Sequence, residues 1–199
     1  MAGGAPPFIG LTGGMGAGKS EALRALERLG AATLSTDAVV HDLLESDEVR
    51  DELVARFGEQ VAPGGRIDRN AVATLVFEQP DERKWLEGVL WPRVGARVDG
   101  WRQEMSARNP APRALVVEVP LLFEAGMDGV FDHTIAVVAD EEIRAARAAG
   151  RGHAGVESRA GRQLSQQEKS ERAEYVVQND GDLSELYGVL SELLENIGV

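Results

Sequence analysis

The pattern of apolar and polar residues predicts a strand, a helix and a second strand at the start of the chain. Residues 8–12 read as a short buried strand that runs into a glycine-rich turn. A helix with an apolar stripe follows from about Lys19, and Gly30 marks its end. Residues 31–34 then form a second predicted strand. A crossover of this length is typical of a βαβ unit, so we expect the two strands to be parallel.

The middle of the chain, residues 39–105, has helical periodicity and no strand pattern. Its longest apolar set is interrupted by Pro92, which is predicted to kink the helix or to restart it. We interpret this region as a helical insertion between two strands of the sheet.

Strand patterns return after the insertion, at residues 115–119, 134–139 and 175–177. The last helix is predicted to begin after Asp182, because Asp182 and Glu185 together resemble a capping box. Strands that alternate with helices predict an α/β fold, with a parallel central sheet covered on both faces in a three-layer arrangement.

Composition excludes several classes of protein. The 199 residues include no cysteine, which excludes disulfides, thiolate metal sites and a cysteine nucleophile. A net charge of -12 argues against broad binding to nucleic acid or to an anionic membrane. The start of the chain lacks a signal-peptide pattern, and the richest apolar stretch, residues 114–123, is too short to span a bilayer. We therefore expect a cytoplasmic protein that binds neither nucleic acid nor membrane.

The strongest chemical signal is a phosphate-binding loop. Gly13-Gly-Met-Gly-Ala-Gly-Lys-Ser20 fits G-x-x-x-x-G-K-[ST], whose glycines let successive backbone N–H groups point at phosphate oxygens. Lys19 would bridge the β- and γ-phosphates of ATP, and the Ser20 hydroxyl would bind magnesium. A chance glycine-rich turn is the alternative, but the motif lies between a strand and a helix, as its mechanism requires.

Two carboxylates follow predicted strands and are candidates for the same edge of the sheet. Asp37, after the second strand, can accept a proton from an attacking hydroxyl, or it can be the N-cap of a helix that starts at Val39. Spacing alone supports both roles equally. Glu118 ends an apolar strand and can bind magnesium through water, or it can be a solvated carboxylate at a strand end.

The arginines between Arg144 and Arg172 recur at roughly helical spacings beside a glycine-rich break. A lid that closes over ATP needs such cations to neutralise the transferring phosphate. For any single arginine a solvated, ion-paired helix face is the stronger interpretation, but for the segment as a whole we favour a lid, residues 141–170. It would lie within a nucleotide-binding core of residues 1–38 and 106–199.

Along nearly its whole length the chain resembles the dephospho-CoA kinase family. The resemblance rests on ordered motifs: Gly10-Leu-Thr-Gly-Gly-Met-Gly-Ala-Gly-Lys-Ser20, Asp37-Ala38, Arg66-Ile-Asp-Arg69 with Val76-Phe77, Glu118-Val-Pro-Leu-Leu-Phe-Glu124, and Arg159-x-x-x-Gln163 with Lys169, Ala173 and Val176-Val-Gln-Asn179-x-Gly181. The proline-leucine-leucine run is the most specific of them.

The resemblance implies a P-loop kinase fold and the transfer of phosphate from ATP to the ribose 3′-hydroxyl of dephospho-CoA, with Mg²⁺ and with Asp37 as base. It makes residues 39–105 the CoA-binding domain and implies that Asn179 contacts the adenine. On this basis the expected ATP contacts are Gly14, Met15, Gly16, Ala17, Gly18, Lys19, Ser20, Glu21, Arg144, Arg147 and Asn179. The expected acceptor contacts are Thr12, Asp37, Arg69, Pro120, Leu121 and Arg159, and the metal ligands are Ser20 and Glu118.

Four positions depart from the family pattern. Ser35 stands where an aspartate is common, Trp91 where a histidine precedes Pro92, and Glu118 where aspartate is frequent. The predicted lid lacks the usual arginine-aspartate pair. The resemblance therefore leaves open which lid arginine touches phosphate.

Two other functions fit parts of the sequence. One is another P-loop small-molecule kinase, for a nucleotide or for a metabolite such as shikimate, although the helical insertion and the Pro-Leu-Leu run argue against it. The other is a nucleotide-dependent switch, for which no water-positioning group or switch loop is evident. We expect a dephospho-CoA kinase that is a monomer or a small homo-oligomer.

Overall fold

The computed structural model describes residues 5–149 and 163–199. The chain divides into two units, Met1–Ser35 with Trp101–Val199, and Thr36–Gly100. The strands are β1 (Phe8–Gly13), β2 (Ala32–Ser35), β3 (Leu115–Glu118), β4 (His133–Val138) and β5 (Tyr175–Gln178). The helices are α1 (Lys19–Arg28), α2 (Thr36–Glu45), α3 (Asp47–Phe57), α4 (Arg69–Glu78), α5 (Pro80–Ser106), α6 (Glu141–Ala149), α7 (Gln166–Arg172) and α8 (Leu183–Ile197). Short 3₁₀ turns occupy Glu59–Val61, Pro63–Gly65 and Asp128–Val130.

The five strands form one parallel sheet in the order β2-β3-β1-β4-β5. The predicted α/β fold with a parallel central sheet is therefore confirmed. β1 and β2 are parallel, as predicted, but they are not neighbours, because β3 pairs with both of them. The carboxyl ends of β2, β3 and β1 thus lie side by side, and the segments that follow them start from one edge of the sheet.

The centre of the sheet is buried on both faces, since every residue of β1 and β3 is buried, whereas the edge strands β2 and β5 are only partly buried. On one face α1 and α8 pack against the strands, where a cluster that includes Ile9, Leu26, Ile135 and Leu190 is almost inaccessible to solvent. On the other face α7 contacts β1 and β4. Asp182 caps α8, and its side chain accepts hydrogen bonds from the backbone N–H groups of the first turn.

The second unit is helical, as predicted, and no strand occurs among its described residues. Its buried side chains include Val49, Leu53, Val61 and Val72. Of the two outcomes predicted at Pro92, the restart of the helix is wrong, because α5 runs without interruption from Pro80 to Ser106.

A local contact accompanies the proline of α5. Pro92 has no N–H to donate to the carbonyl four residues earlier in the helix. The next carbonyl in the helix, that of Val89, accepts a hydrogen bond of 2.8 Å from Nη1 of the Arg93 side chain. The same guanidinium binds Glu48 and Glu52 on α3, each at 2.6 Å, which ties this part of α5 to α3.

No helix in the described ranges is long and apolar enough to cross a membrane.

Candidate active site

The predicted phosphate-binding loop connects β1 to α1. β1 ends at Gly13 and α1 begins at Lys19, and Gly18 is the N-cap of α1 in the left-handed conformation, with φ of 94°. A side chain at such a φ is strained, so glycine is the residue that turns the loop into the helix there. The loop therefore leads into the positive end of the α1 dipole, which favours anions.

Lys19, at the first position of α1, folds back over the loop. Its Nζ donates hydrogen bonds to the carbonyl oxygens of Gly13 at 3.0 Å and Gly14 at 3.2 Å. The ammonium is thus held directly above the loop backbone. Ser20 is exposed in the first turn of the same helix, where its hydroxyl can reach a ligand at the loop.

Asn179, just after β5, holds the end of the loop. Asn179 is buried, and its side chain donates a hydrogen bond of 2.8 Å from Nδ2 to the backbone carbonyl of Ala17. The backbone carbonyl of Asn179 accepts a hydrogen bond of 2.9 Å from Arg147 Nη1. A Cβ added at Gly18 would lie 2.0 Å from Asn179 Nδ2. The loop, the end of β5 and α6 are therefore packed without spare room at this point.

Arg144 on α6 holds the other side of the loop. Its Nε donates to the carbonyl of Met15 at 2.9 Å, and its Nη1 binds Glu141 at 2.6 Å. A Cβ added at Gly16 would lie 2.6 Å from the backbone carbonyl oxygen of Arg144, so the helix and the loop are in close contact. Of the arginines in the predicted lid, Arg144 thus contacts the loop backbone directly, and Arg147 contacts Asn179, whose side chain binds the loop. Arg159 lies outside the described residues.

A cavity of about 340 Å³ opens beside the loop. This volume is within the range of small-molecule sites. It is lined by the loop, α6 and the segment leading into α7: Gly14, Met15, Glu141, Arg144, Gln163, Leu164, Ser165, Gln166 and Gln167.

The fit around Gly18 leads to a test with a matched control. We expect Gly18→Ala to weaken ATP binding at least about 10-fold, or about 1.4 kcal/mol, because the new methyl group would displace Asn179 or the loop. Gly198 has almost the same conformation, with φ of 93° and ψ of 26° against 94° and 27°, and no neighbouring atom would contact its Cβ. Gly198→Ala should share the backbone strain of about 1–2 kcal/mol but keep ATP binding. Equal loss of binding in both variants, measured by calorimetry, would contradict this account of the loop.

The two predicted carboxylates differ in their surroundings. Glu118 is the last residue of β3 and is 7% exposed, which contradicts the alternative of a solvated carboxylate. In the sheet register it stands beside Leu11 on β1 and Ser35 on β2. A carboxylate buried at this depth needs partners that stabilise its charge.

Asp37 lies two residues beyond the end of β2, on the exposed surface of the first turn of α2. The alternative that it is the N-cap of a helix starting at Val39 is wrong, because α2 already begins at Thr36. A carboxylate in the first turn is still favoured by the helix dipole. The role of Asp37 as a base stays a prediction.

The remaining predicted acceptor residues lie in both units. In the first unit Thr12 is buried near the end of β1, and Pro120 and Leu121 follow β3. In the second unit Arg69 begins α4, is exposed, and contacts Nδ1 of His41 through Nη1.

The structure reveals one buried charge that the sequence did not single out as a site residue. Lys169 on α7 is fully buried, and its Nζ lies 3.0 Å from Glu124 Oε1. Burial lowers the pKa of Lys169, and the Glu124 carboxylate acts in the opposite direction. The sequence carries two signals for this contact. Lys169 and Glu124 both belong to motifs of the family resemblance, and Ser165 and Glu168 form a capping box that fixes the start of α7.

The first unit has a parallel sheet, a glycine-rich loop between β1 and α1, a lysine above that loop and a buried carboxylate at the end of β3. These features define a P-loop nucleotide-binding protein of the α/β class. The family model described as dephospho-CoA kinase matches residues 7–185. This chain belongs to the dephospho-CoA kinase family, and the predicted resemblance is confirmed.

Individual relatives agree with the family match over almost the full chain. A dephospho-CoA kinase of Protochlamydia amoebophila is 37% identical over 196 residues, covering 96% of both chains. One of Deinococcus radiodurans is 36% identical over 197 residues, covering 98% of this chain and 94% of the relative. A crystal structure of a protein from Thermus thermophilus superposes with a TM-score of 0.81 at 32% identity, covering 98% of this chain and 100% of that one.

Proposed function

We propose that this protein transfers the terminal phosphate of ATP to the ribose 3′-hydroxyl of dephospho-CoA, giving coenzyme A and ADP in the last step of coenzyme A biosynthesis. The observation that carries the proposal is the family match over residues 7–185, which includes the loop with Lys19 above it and the Pro120-Leu121 run after β3. The match favours this function over the alternative kinases and over a nucleotide-dependent switch.

In the proposed complex the phosphates of ATP lie in the loop formed by residues 14–18. The backbone N–H groups of the loop and the N-terminus of α1 bind phosphate oxygens. Lys19 exchanges its present carbonyl partners, Gly13 and Gly14, for the β- and γ-phosphates. Arg144, which donates to the loop, and Arg147, which donates to Asn179, add positive charge on the side of α6. Glu21 and Asn179 complete the predicted contacts with ATP.

Kinases that use ATP employ a divalent cation, and we propose Mg²⁺ with Ser20 and Glu118 as protein donors. Hydroxyl and carboxylate oxygens are hard ligands that suit this ion. Within the described ranges no group of three or more acidic or histidine side chains is placed to hold a metal, so phosphate oxygens and water would supply the other ligands. The cation would neutralise charge on the β- and γ-phosphates.

The proposed acceptor contacts come from Asp37, Arg69 and the residues around the end of β3, with the helical unit Thr36–Gly100 as the CoA-binding domain. Asp37 takes the proton of the ribose 3′-hydroxyl. The hydroxyl oxygen forms a bond to the γ-phosphorus of ATP while the bond between that phosphorus and the leaving ADP breaks. Thr12, Pro120, Leu121 and Arg159 are the other proposed acceptor contacts. A cytoplasmic location and a monomer or small homo-oligomer remain predictions.

An acceptor panel tests the proposed function. ADP release by the purified protein with ATP and Mg²⁺ is measured with dephospho-CoA, AMP, shikimate or no acceptor. We expect dephospho-CoA alone to accelerate ADP release, because the family match extends through the region proposed to bind the acceptor. Acceleration by AMP or shikimate to a similar degree, or release that is indifferent to every acceptor, would overturn the substrate assignment.

A further inference from the structure

The ammonium group of Lys169 is surrounded by three acceptors. Nζ lies 2.6 Å from the carbonyl of Pro120, 3.0 Å from Glu124 Oε1 and 3.3 Å from the hydroxyl of Thr12. An ammonium has three hydrogens to donate, so this set can use all of them. The side chain is completely inaccessible to solvent.

Glu124 extends this contact to a fourth segment. Its Oε1 also accepts a hydrogen bond of 2.8 Å from the backbone N–H of Leu164, and the side chain is 13% exposed. Among the residues that the structure describes, its other oxygen, Oε2, has no hydrogen-bond partner. One carboxylate oxygen therefore joins Lys169 to the chain just ahead of α7.

These contacts join the segments that form the proposed site. Thr12 precedes the phosphate-binding loop, Pro120 opens the run after β3, and Leu164 lines the cavity beside the loop. Lys169 is thus the common partner of the strand that leads into the ATP loop and of the turn proposed to face the acceptor.

A contribution to the stability of the fold does not by itself explain a buried ion pair between Lys169 and Glu124. Taking an ammonium and a carboxylate out of water is costly, and well-packed apolar residues at such positions are often as stable or more stable. Unlike apolar packing, the ammonium group donates directional hydrogen bonds, here to the Pro120 carbonyl and the Thr12 hydroxyl.

We propose that Lys169 is a positioning residue for the acceptor, which acts by fixing the turn at Pro120 relative to Thr12 and the phosphate-binding loop. The inference rests on the proposed function, because it assigns Pro120 and its neighbours to the dephospho-CoA side of the reaction. It predicts that loss of Lys169 affects use of dephospho-CoA much more than binding of ATP.

The test compares Lys169→Met with the double variant Lys169→Met/Glu124→Gln. The single variant leaves a carboxylate without its cation, so we expect a lower Tm. The double variant carries neither charge and keeps an oxygen that can accept from Leu164, so its Tm should recover. In the double variant we expect KM for dephospho-CoA to stay about 10-fold above that of the unmodified protein, with the Kd of ATP unchanged within about 2-fold. Glu171→Gln, at an exposed position on the same helix, is the matched control and should leave both constants unchanged.

Each outcome decides the proposal. A double variant that regains the KM of the unmodified protein together with its Tm would make Lys169 purely structural and would overturn the inference. Equal losses in ATP binding and in KM would do the same. If the single variant does not fold, the double variant decides. Failure of the proposed function is visible separately, because the unmodified protein would then show no turnover that depends on dephospho-CoA.

Discussion

Replacing Asp37 by asparagine is expected to lower kcat about 10³-fold while the Kd of ATP stays within about 2-fold. Asparagine keeps the size of the side chain, but it cannot take the proton of the acceptor hydroxyl. Asp37 is exposed in the first turn of α2, so the substitution disturbs no packed core. Steady-state kinetics with saturating dephospho-CoA gives kcat, and calorimetry without acceptor gives the affinity for ATP.

The matched control for this prediction is Asp42→Asn. Asp42 is also an exposed aspartate on α2, but it is not among the proposed site residues. Its replacement should leave kcat unchanged. An Asp37→Asn enzyme that retains more than about a tenth of kcat would exclude a role as base, since general base catalysis contributes about 10²–10⁴-fold.

The second large effect is expected for Lys19→Met, which should lower kcat about 10²–10³-fold and also weaken ATP binding. Methionine keeps an unbranched side chain but removes the charge that is to stabilise the transferring phosphoryl group. Nζ is held at the loop by the carbonyls of Gly13 and Gly14, so the charge is already positioned before ATP binds. Unlike Asp37, Lys19 is expected to contribute to both binding and turnover, because it contacts phosphate in the ground state and in the transition state.

Arg28→Met is the control for Lys19→Met. Arg28 lies on the same helix, exposed in its last turn, so its loss removes a positive charge far along the helix from the loop. We expect unchanged kcat and unchanged ATP affinity. If the two variants lose activity equally, the effect of Lys19 would be one of net charge and not of its position at the phosphates.

The sequence predicted the elements of the fold better than their arrangement. Apolar runs identified all five strands in the part of the chain that the structure describes. The three central strands, β3, β1 and β4, are almost entirely buried and so leave a continuous hydrophobic signature, whereas the edge strands β2 and β5 are only partly buried. The strand order could not be predicted in the same way, and β3 lies between β1 and β2 through contacts far apart in sequence. A new helix does not start at Pro92, because α5 continues through it.

For the site, local motifs were informative and long-range contacts were not. The phosphate-binding loop can be predicted from the sequence because the glycines, the lysine and the serine that bind phosphate and metal lie within eight consecutive residues. The burial of Glu118 could not be read from a strand end alone, since a carboxylate there can face either solvent or protein. Helix α2 begins at Thr36, three residues before the predicted start at Val39, because helix boundaries depend on caps that a hydrophobic pattern does not resolve.

Lys169 belongs to a motif of the family resemblance, but the sequence does not indicate that its side chain is buried or which groups it contacts. Lysine is almost never fully buried unless it is paired, so an isolated lysine in a charged segment is normally taken to be solvated. Its partners Thr12 and Pro120 are 157 and 49 residues away along the chain. Only the fold brings a strand end, a turn and a short helix together around one ammonium group.

The most direct test of the central claim measures ADP and coenzyme A in the same reaction, with purified protein, ATP, Mg²⁺ and dephospho-CoA. We predict that the two products form in a 1:1 ratio, and that phosphorus NMR of the product places the new phosphate on the ribose 3′-hydroxyl. ADP that accumulates with inorganic phosphate while dephospho-CoA is unchanged would contradict the account, because the loop would then serve hydrolysis of ATP and not transfer to this acceptor.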